Sequence, residues 1–118
     1  MTTPETTITV TAGADQVTLV NVFQVDPSRQ IELVEALESA TEKLFVTTPG
    51  FISANLHLSL DGTRVINYAQ WASEQQYHDA LQRPDVREHL VGAAAIAESY
   101  DPTLVRVRST HHSRADQT

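Results

Sequence analysis

A chain of 118 residues is long enough to bury one hydrophobic core and too short for two separate domains. Eight Lys and Arg residues against fifteen Asp and Glu residues give a net charge of −7, which argues against nucleic acids and anionic membranes as partners. Because the chain has no cysteine, it cannot hold a disulfide bond, a thiolate nucleophile or an iron–sulfur centre.

The two ends of the chain are polar. Residues 1–15 are rich in Thr and alternate only at Ile8-Thr9-Val10, so we predict a flexible N-terminal arm that can add a short strand. This opening lacks the positive and apolar regions of a signal peptide, and no later apolar run approaches the ~18 residues of a membrane span. We therefore expect a cytoplasmic protein with a folded domain over residues 16–110 and a disordered tail over 111–118.

Residues 17–25 alternate as a strand with one buried face. The side chains on that face are Val17, Leu19, Asn21, Phe23 and Val25. A carboxamide buried among apolar side chains costs roughly 1–3 kcal/mol unless hydrogen bonds satisfy it. Asn21 is therefore either a core amide satisfied by backbone or water, or part of a ligand site.

The first helix begins at Asp26-Pro27, with the acid as N-cap and proline at the first helical position. We predict that it runs to about Val46. Its apolar residues, which recur at three- and four-residue spacing, are Ile31, Val34, Leu37, Leu44 and Phe45. One face of this helix is therefore expected to pack on a sheet.

A second strand is predicted over residues 51–60, after the break at Pro49-Gly50, and its alternation is the clearest in the chain. The side chains predicted to face the helices are Ile52, Ala54, Leu56, Leu58 and Leu60. Those predicted on the opposite face are Phe51, Ser53, Asn55, His57 and Ser59.

A hairpin turn at Asp61-Gly62 leads into a third strand over residues 65–71. A two-residue turn sets Leu56 opposite Asn67. Because side chains alternate along a strand, Asn67 and Trp71 then share the face that the helices cover. This places a second amide, and the chain's single tryptophan, on the apolar side of the sheet.

Two helices and a last strand complete the predicted domain. The capping box Ser73-Glu74-Gln75-Gln76 predicts a short helix through about Leu81. A further helix is predicted from Pro84-Asp85 to about Ser99, ended by Asp101-Pro102. The final strand is predicted over residues 103–108.

The predicted order β-α-β-β-α-α-β is the split β-α-β arrangement of ferredoxin-like folds in the α+β class, an antiparallel sheet with helices on one face. The opposite face mixes Phe51, Ile66 and Tyr68 with polar side chains, so it is too apolar for a surface fully in water. We therefore hypothesise a homodimer that stacks its two sheets face to face.

The segments that carry a family resemblance are residues 18–23, 49–51, 59–63 and 65–77. Over residues 17–108 the chain resembles the antibiotic biosynthesis monooxygenase family, which consists of small dimeric α+β barrel proteins. Pro49-Gly50-Phe51 is a family-wide feature. The narrower feature, Asn67 and Trp71 four residues apart with Asn21 on the first strand, resembles the cofactor-independent anthrone oxygenases of aromatic polyketide pathways.

This resemblance implies oxidation of an anthrone-type polycyclic polyketide intermediate to the quinone, with O2 as co-substrate and without metal, flavin or haem. The implied catalytic residues are Asn21, Asn67 and Trp71, whose N–H groups would stabilise the substrate enolate while it passes an electron to oxygen. The implied substrate contacts are Tyr77, Arg87 and His57. The strand register nevertheless places His57 on the face opposite the amides.

Other interpretations remain open at this stage. Trp71 and Tyr77 could simply pack in the core. The chain could be a non-catalytic binding or scaffold protein of a polyketide pathway. Haem degradation is disfavoured because Val91 stands where such relatives ligate iron, and His89 lies about 200° away around the helix. The five histidines show no metal-ligand spacing, so no metal site is expected.

Overall fold

The computed structural model describes residues 6–115 and confirms the predicted order of elements. The elements are β1 (Val17–Gln24), α1 (Gln30–Lys43), β2 (Phe51–Leu58), β3 (Arg64–Trp71), α2 (Glu74–Leu81), α3 (Pro84–Ile96) and β4 (Ser99–Val105). Two short 3-10 turns, Pro27–Arg29 and Phe45–Thr47, flank α1. The parts of the predicted arm and tail at residues 1–5 and 116–118 lie outside the described residues.

The four strands form one antiparallel sheet in the order β2-β3-β1-β4. The helices cover one face, here called the inner face, where Phe23 and Val65 pack against Leu33 and Leu37 of α1 and Ala93 of α3. This is the ferredoxin-like fold expected from the sequence. The hairpin register is also confirmed, since Leu56 pairs with Asn67.

The predicted N-terminus of the first helix is confirmed, because the Asp26 carboxylate accepts the Ser28 N–H at 2.9 Å. Its predicted buried face is wrong at Ile31, which is 53% exposed, whereas Leu33 is fully buried. Leu33, Leu37 and Ala40 form the buried stripe at three- and four-residue spacing. Ile31 is the first apolar residue after the cap, but it lies on the solvent side of this buried stripe.

A β-bulge at the start of β2 reverses the predicted facing of its first two residues. Phe51 pairs with Trp71 and Ser53 with Gln70, so Ile52 is the extra, unpaired residue. Phe51 therefore lies on the inner face, and Ile52, 50% exposed, does not. Strict alternation places Phe51 on the outer side and Ile52 on the side of the helices, because a period of two does not allow for a single inserted residue.

The hairpin loop extends further than the predicted two-residue turn. β2 ends at Leu58, so Leu60 is fully exposed in the loop and not on the inner face as predicted. The Asp61 carboxylate accepts hydrogen bonds from the Thr63 N–H and hydroxyl at 3.0 and 2.7 Å and from the Ser59 hydroxyl at 2.8 Å. These bonds, first of all that from the Thr63 hydroxyl, lower the pKa of Asp61 to about 2.

The last strand begins at Ser99, where the preceding helix was predicted to end. α3 stops at Ile96, three residues short of the prediction, and β4 spans Ser99–Val105 instead of residues 103–108. Pro102, which was predicted to end the helix, lies inside β4. A proline is tolerated there because β4 is an edge strand, where a missing N–H need not break a ladder.

The sheet face away from the helices, here called the outer face, carries a network of hydrogen bonds. Ser53 donates to Gln70 Oε1 at 2.7 Å, and Asn55 Nδ2 donates to Ser53 Oγ and to the Tyr68 carbonyl at 3.1 and 2.9 Å. Gln70 Nε2 donates to the Thr9 carbonyl at 2.8 Å, so the arm crosses this face. Within residues 6–16 the arm forms no strand.

Candidate active site

A cavity of about 370 Å³ lies between the inner face and the helices. Its wall is mostly apolar and aromatic. Leu19 and Phe23 line it from β1, Ala69 from β3, and Leu90 and Ala94 from α3. A largely apolar cavity with a few polar groups is typical of a small-molecule site.

Three polar atoms in this cavity wall have no hydrogen-bond partner. They are Asn21 Oδ1, Asn67 Oδ1 and Trp71 Nε1. Within residues 6–115, every other buried side-chain nitrogen or oxygen atom has a hydrogen-bond partner. Buried polar groups are nearly always paired, because an unpaired group costs about 1–3 kcal/mol. These three atoms therefore need a partner from outside the protein, either a ligand or water.

The sheet register brings these residues together. Asn21 on β1 pairs directly with Asn67 on β3, so the two carboxamides are neighbours on the inner face. Trp71 lies four residues further along the same strand, which corresponds to about 13 Å. The two amides thus lie toward one end of the apolar wall, and the indole N–H of Trp71 lies toward the other.

Aromatic rings fix the indole of Trp71. Its ring centroid lies 5.4 Å from that of Phe51, 5.7 Å from that of Tyr77 and 6.0 Å from that of Phe45, each pair meeting edge to face. Gly50, at a φ of 85°, lets the start of β2 approach α2, because a Cβ there would lie 2.5 Å from the Gln76 side chain. The packing of these three rings holds the indole in one orientation.

Tyr77 is brought to the cavity by the capped start of α2. The Ser73 hydroxyl accepts the Gln76 N–H at 3.2 Å and donates to Gln76 Oε1 at 3.1 Å, which confirms Ser73 as the predicted start of the helix. Burial raises the pKa of the Tyr77 hydroxyl above its ordinary value. Tyr77 can therefore donate a hydrogen bond at neutral pH, but it does not serve as a base there.

Arg87 also lines the cavity, from α3. Its Nε donates to the Leu81 carbonyl at 2.9 Å and its Nη2 to Gln82 Oε1 at 2.8 Å. Both acceptors lie at the C-terminus of α2, where a cation is favoured by the helix dipole. Arg87 therefore has two neutral hydrogen-bond partners within the protein.

His57 lies apart from the other predicted site residues. It is exposed on the outer face, with Nδ1 3.1 Å from the Asn55 carbonyl oxygen, and it does not line the cavity. The structure thus brings Asn21, Asn67, Trp71, Tyr77 and Arg87 to one cavity and leaves His57 outside it.

Several residues that line the cavity are not predicted by the sequence pattern. Phe51 was assigned to the wrong face because of the bulge. His89 was set aside, yet it lines the cavity, and its three-residue spacing from buried Val86 was a usable signal. Tyr100 and Pro102 line the cavity from β4, and no local pattern predicted that they belong to a strand.

The described residues contain no cluster of three or more His, Cys, Asp or Glu side chains that could hold a metal ion. Val91, at the position where haem-degrading relatives were expected to ligate iron, is apolar and 70% exposed. The helices within residues 6–115 are too short to span a lipid bilayer.

Comparison with known proteins gives a consistent result. The model of the family described as antibiotic biosynthesis monooxygenase matches residues 16–90. Tetracenomycin-F1 monooxygenase of Streptomyces glaucescens is 46% identical over 81 residues, which cover 69% of this chain and 72% of that protein.

Two solved structures have the same fold. ActVA-Orf6 monooxygenase of Streptomyces coelicolor, in complex with nanaomycin D, superposes with a TM-score of 0.75 at 31% identity, covering 82% of this chain and 91% of that one. A variant of SnoaB, a cofactor-independent oxygenase of Streptomyces nogalater, gives a TM-score of 0.72 at 26% identity, covering 82% and 97%.

Proposed function

The chain belongs to the antibiotic biosynthesis monooxygenase family, and we propose that it is a cofactor-independent oxygenase that converts an anthrone-type polycyclic polyketide intermediate to its quinone. One observation carries the proposal: the cavity sets two unpartnered amide oxygens and an unpartnered indole N–H in an apolar wall. A flat polycycle with carbonyl and hydroxyl groups would pair with all three.

The proposed reaction adds O2 to the methylene carbon of the anthrone. Loss of one methylene proton gives an enolate, which passes one electron to O2 and forms a substrate radical and superoxide. These two combine into a carbon–oxygen bond, giving a peroxide at the former methylene. Loss of the remaining C–H proton with cleavage of the O–O bond then gives the quinone carbonyl and one molecule of water.

The cavity residues would act on the first step. A carboxamide can turn about its last bond, so Asn21 and Asn67 can each present an N–H donor to the enolate oxygen or an acceptor oxygen to a phenol. Such donors, fixed before the reaction in a dry cavity, stabilise the developing anion more strongly than water does. Trp71 would donate its N–H and stack on or beside the polycycle.

The relatives support this assignment in their described activities and ligand. One is named tetracenomycin-F1 monooxygenase, one was solved in complex with nanaomycin D, and one is described as a cofactor-independent oxygenase.

The test is oxygen uptake by purified protein with an anthrone such as dithranol, in the presence of a chelator and without added cofactor. We expect turnover above the rate in buffer, with one O2 consumed per quinone formed. If several anthrones and naphthacenones are oxidised no faster than in buffer but still quench Trp71 fluorescence, the chain is a binding or scaffold protein instead.

We also propose that the protein is a homodimer joined through the outer face. Val20, Val22, Ile66 and Tyr68 on this face are only half-buried in the single chain, beside the hydrogen-bonded polar network. Stacking two such faces would remove these apolar side chains from water. Light scattering at micromolar concentration should give twice the chain mass of 13.0 kDa, and Ile66→Glu should give the monomer. A monomer for the unmodified protein would contradict the proposal.

A further inference from the structure

The proposed reaction needs a group that takes a proton, and the cavity wall offers few. Although the chain has fifteen Asp and Glu residues, none of those within residues 6–115 lines the cavity. The ionisable side chains that line it are Tyr77, Arg87, His89 and Tyr100. Phenols and guanidinium groups ordinarily keep their protons at pH 7, and burial raises the pKa of Tyr77 further. The imidazole of His89 is thus the side chain of this wall that has the chemistry of a base at neutral pH.

His89 lies on the wall of the cavity that faces the unpaired polar atoms. It belongs to α3, which covers the inner face of the sheet, whereas Asn21, Asn67 and Trp71 belong to the sheet itself. Val86, one turn earlier on α3, is fully buried and anchors this side of the helix. The imidazole is half-buried and lines the cavity. A substrate between the sheet and the helices therefore has the hydrogen-bonding groups of the sheet on one side and this imidazole on the other.

The ring nitrogens of His89 are not engaged by the protein. His57, His78 and His111 each have a ring nitrogen 3.1–3.3 Å from a protein oxygen. His89 has no such contact with any of residues 6–115. Because one nitrogen of a neutral imidazole is an acceptor, His89 can take a proton without first breaking a hydrogen bond to the protein.

The charged and titratable groups that face this imidazole are few. α2 presents Tyr77 to the cavity, β4 presents Tyr100 and α3 presents Arg87, while the other elements of the wall present apolar, amide and indole side chains. Asp85, one turn before the imidazole on α3, is held by Arg83 at 2.8 Å. Phenol and guanidinium groups do not ordinarily change their charge between pH 5 and 8, whereas imidazole does. A pH effect of the cavity wall in this range therefore reports on the imidazole.

We propose that His89 is the catalytic base that removes the methylene proton of the substrate. This inference rests on the proposed function and deepens it, because it assigns the proton acceptor of the first step. The C–H bond breaks toward an imidazole nitrogen, its electron pair stays on the substrate as the enolate, and the imidazole becomes imidazolium. A base positioned in this way commonly accelerates such a step by about 10²–10⁴-fold.

The same imidazole can serve the second loss of a proton. After the enolate has reacted with O2, the imidazolium returns its proton to the peroxide, which gives a hydroperoxide and neutral imidazole. The imidazole then takes the remaining C–H proton while the O–O bond breaks, and the electron pair of that C–H bond completes the quinone carbonyl. The imidazolium gives this proton to the departing hydroxide, so His89 ends neutral and both C–H protons leave in one molecule of water.

The proton transfer can be measured without O2. In D2O under nitrogen, a base in the cavity should exchange the methylene hydrogens of dithranol and other anthrones for deuterium, which mass spectrometry follows. We expect the unmodified protein to exchange them faster than buffer does. His89→Gln keeps a polar side chain without a basic nitrogen and should lower this acceleration by about 10²-fold.

A matched control and three further readouts separate a base from a structural residue. His112→Gln removes an exposed histidine outside the cavity and should leave the exchange rate unchanged. Exchange by the unmodified protein should slow in acid, because a protonated imidazole cannot accept a proton, and His89→Gln should lack this slowing. Added imidazole should restore part of the rate to His89→Gln. A merely structural role would lower the melting temperature and weaken the quenching of Trp71 fluorescence by a quinone, with no rescue by imidazole.

Three outcomes would overturn the inference. They are equal exchange rates in His89→Gln and the unmodified protein, a slowing in acid that persists in His89→Gln, and no acceleration of exchange by the unmodified protein with any anthrone. Failure of the proposed function is a different result. It is exchange that depends on His89 but is followed by no oxygen uptake when air is admitted.

Discussion

The two faces of the sheet both carry amides, but they satisfy them differently. On the outer face, Asn55 and Gln70 are tied to Ser53 and to backbone carbonyls by hydrogen bonds of 2.7–3.1 Å. On the inner face, the oxygens of Asn21 and Asn67 are buried without a partner. Amide side chains of one sheet are thus paired within the protein on one side and unpaired on the other.

This difference is a better guide to function than residue type. An amide paired within the protein adds to stability, and an unpaired buried amide reduces it unless a ligand completes its hydrogen bonds. Functional sites commonly contain groups that local stability would not favour. Variants on the two faces should therefore separate activity from stability.

The largest expected effect is on turnover, and it should distinguish an amide on the inner face from one on the outer face. Asn67→Ala should lower kcat with an anthrone by about 10²-fold, the scale of losing one donor to a developing oxyanion. Asn55→Ala should leave kcat within about threefold and lower the free energy of unfolding by about 1 kcal/mol, because it loses two hydrogen bonds. Steady-state oxygen uptake and urea unfolding of both variants measure these changes. Equal kcat in Asn67→Ala and the unmodified protein would remove Asn67 from the mechanism.

The next comparison is between the two residues at the bulge. Phe51→Ala removes a ring packed against Trp71 and Phe45, so we expect a loss of about 2 kcal/mol in unfolding free energy, less than for a fully buried ring. Ile52→Ala, at a half-exposed site, should cost under about 1 kcal/mol. Urea unfolding tests both. A larger loss for Ile52→Ala than for Phe51→Ala would mean that Ile52 faces the core, as strict alternation of the strand predicts.

A smaller effect is expected from replacing one amide on each face of β3 by leucine. Gln70→Leu breaks the bonds to Ser53 and to the Thr9 carbonyl and should cost about 1–2 kcal/mol. Asn67→Leu removes an unpaired buried oxygen and should be neutral or stabilising by up to about 1 kcal/mol. Thermal melts without ligand compare the two, and a similar loss in both would mean that Asn67 is paired in the free protein.

The smallest effect is expected in the hairpin loop, outside both faces. The pKa of Asp61 is about 2 in the folded protein against an ordinary 3.8, so its stabilising effect is complete above pH 3.8 and is lost as the pH falls toward 2. Asp61→Asn should therefore lower the urea midpoint slightly at pH 5 or so, with the difference shrinking as acid is added. A difference that stays constant with pH would show that the carboxylate charge has no role.

Much of the inner face could be predicted because it depends on spacing along the chain. Residues two apart in a strand share a face, which places Asn67 with Trp71 and places Asn21 among the apolar positions of β1. The hairpin turn fixes the partner of Asn67 on β2. These relations are local, and a short stretch of sequence specifies them.

The order of the elements, the capping of α2 and the face on which Asn67 and Trp71 lie can all be predicted from the amino-acid sequence, because side-chain periodicity and cap chemistry act within a few residues. Three other features are visible only in the folded chain: Asn21 pairs with Asn67, a bulge turns Phe51 into the cavity, and the end of α2 holds Arg87. Each of these depends on a partner distant in the chain or on an inserted residue. It is the packing around them that leaves two amides and an indole unpaired, and hence open to a ligand.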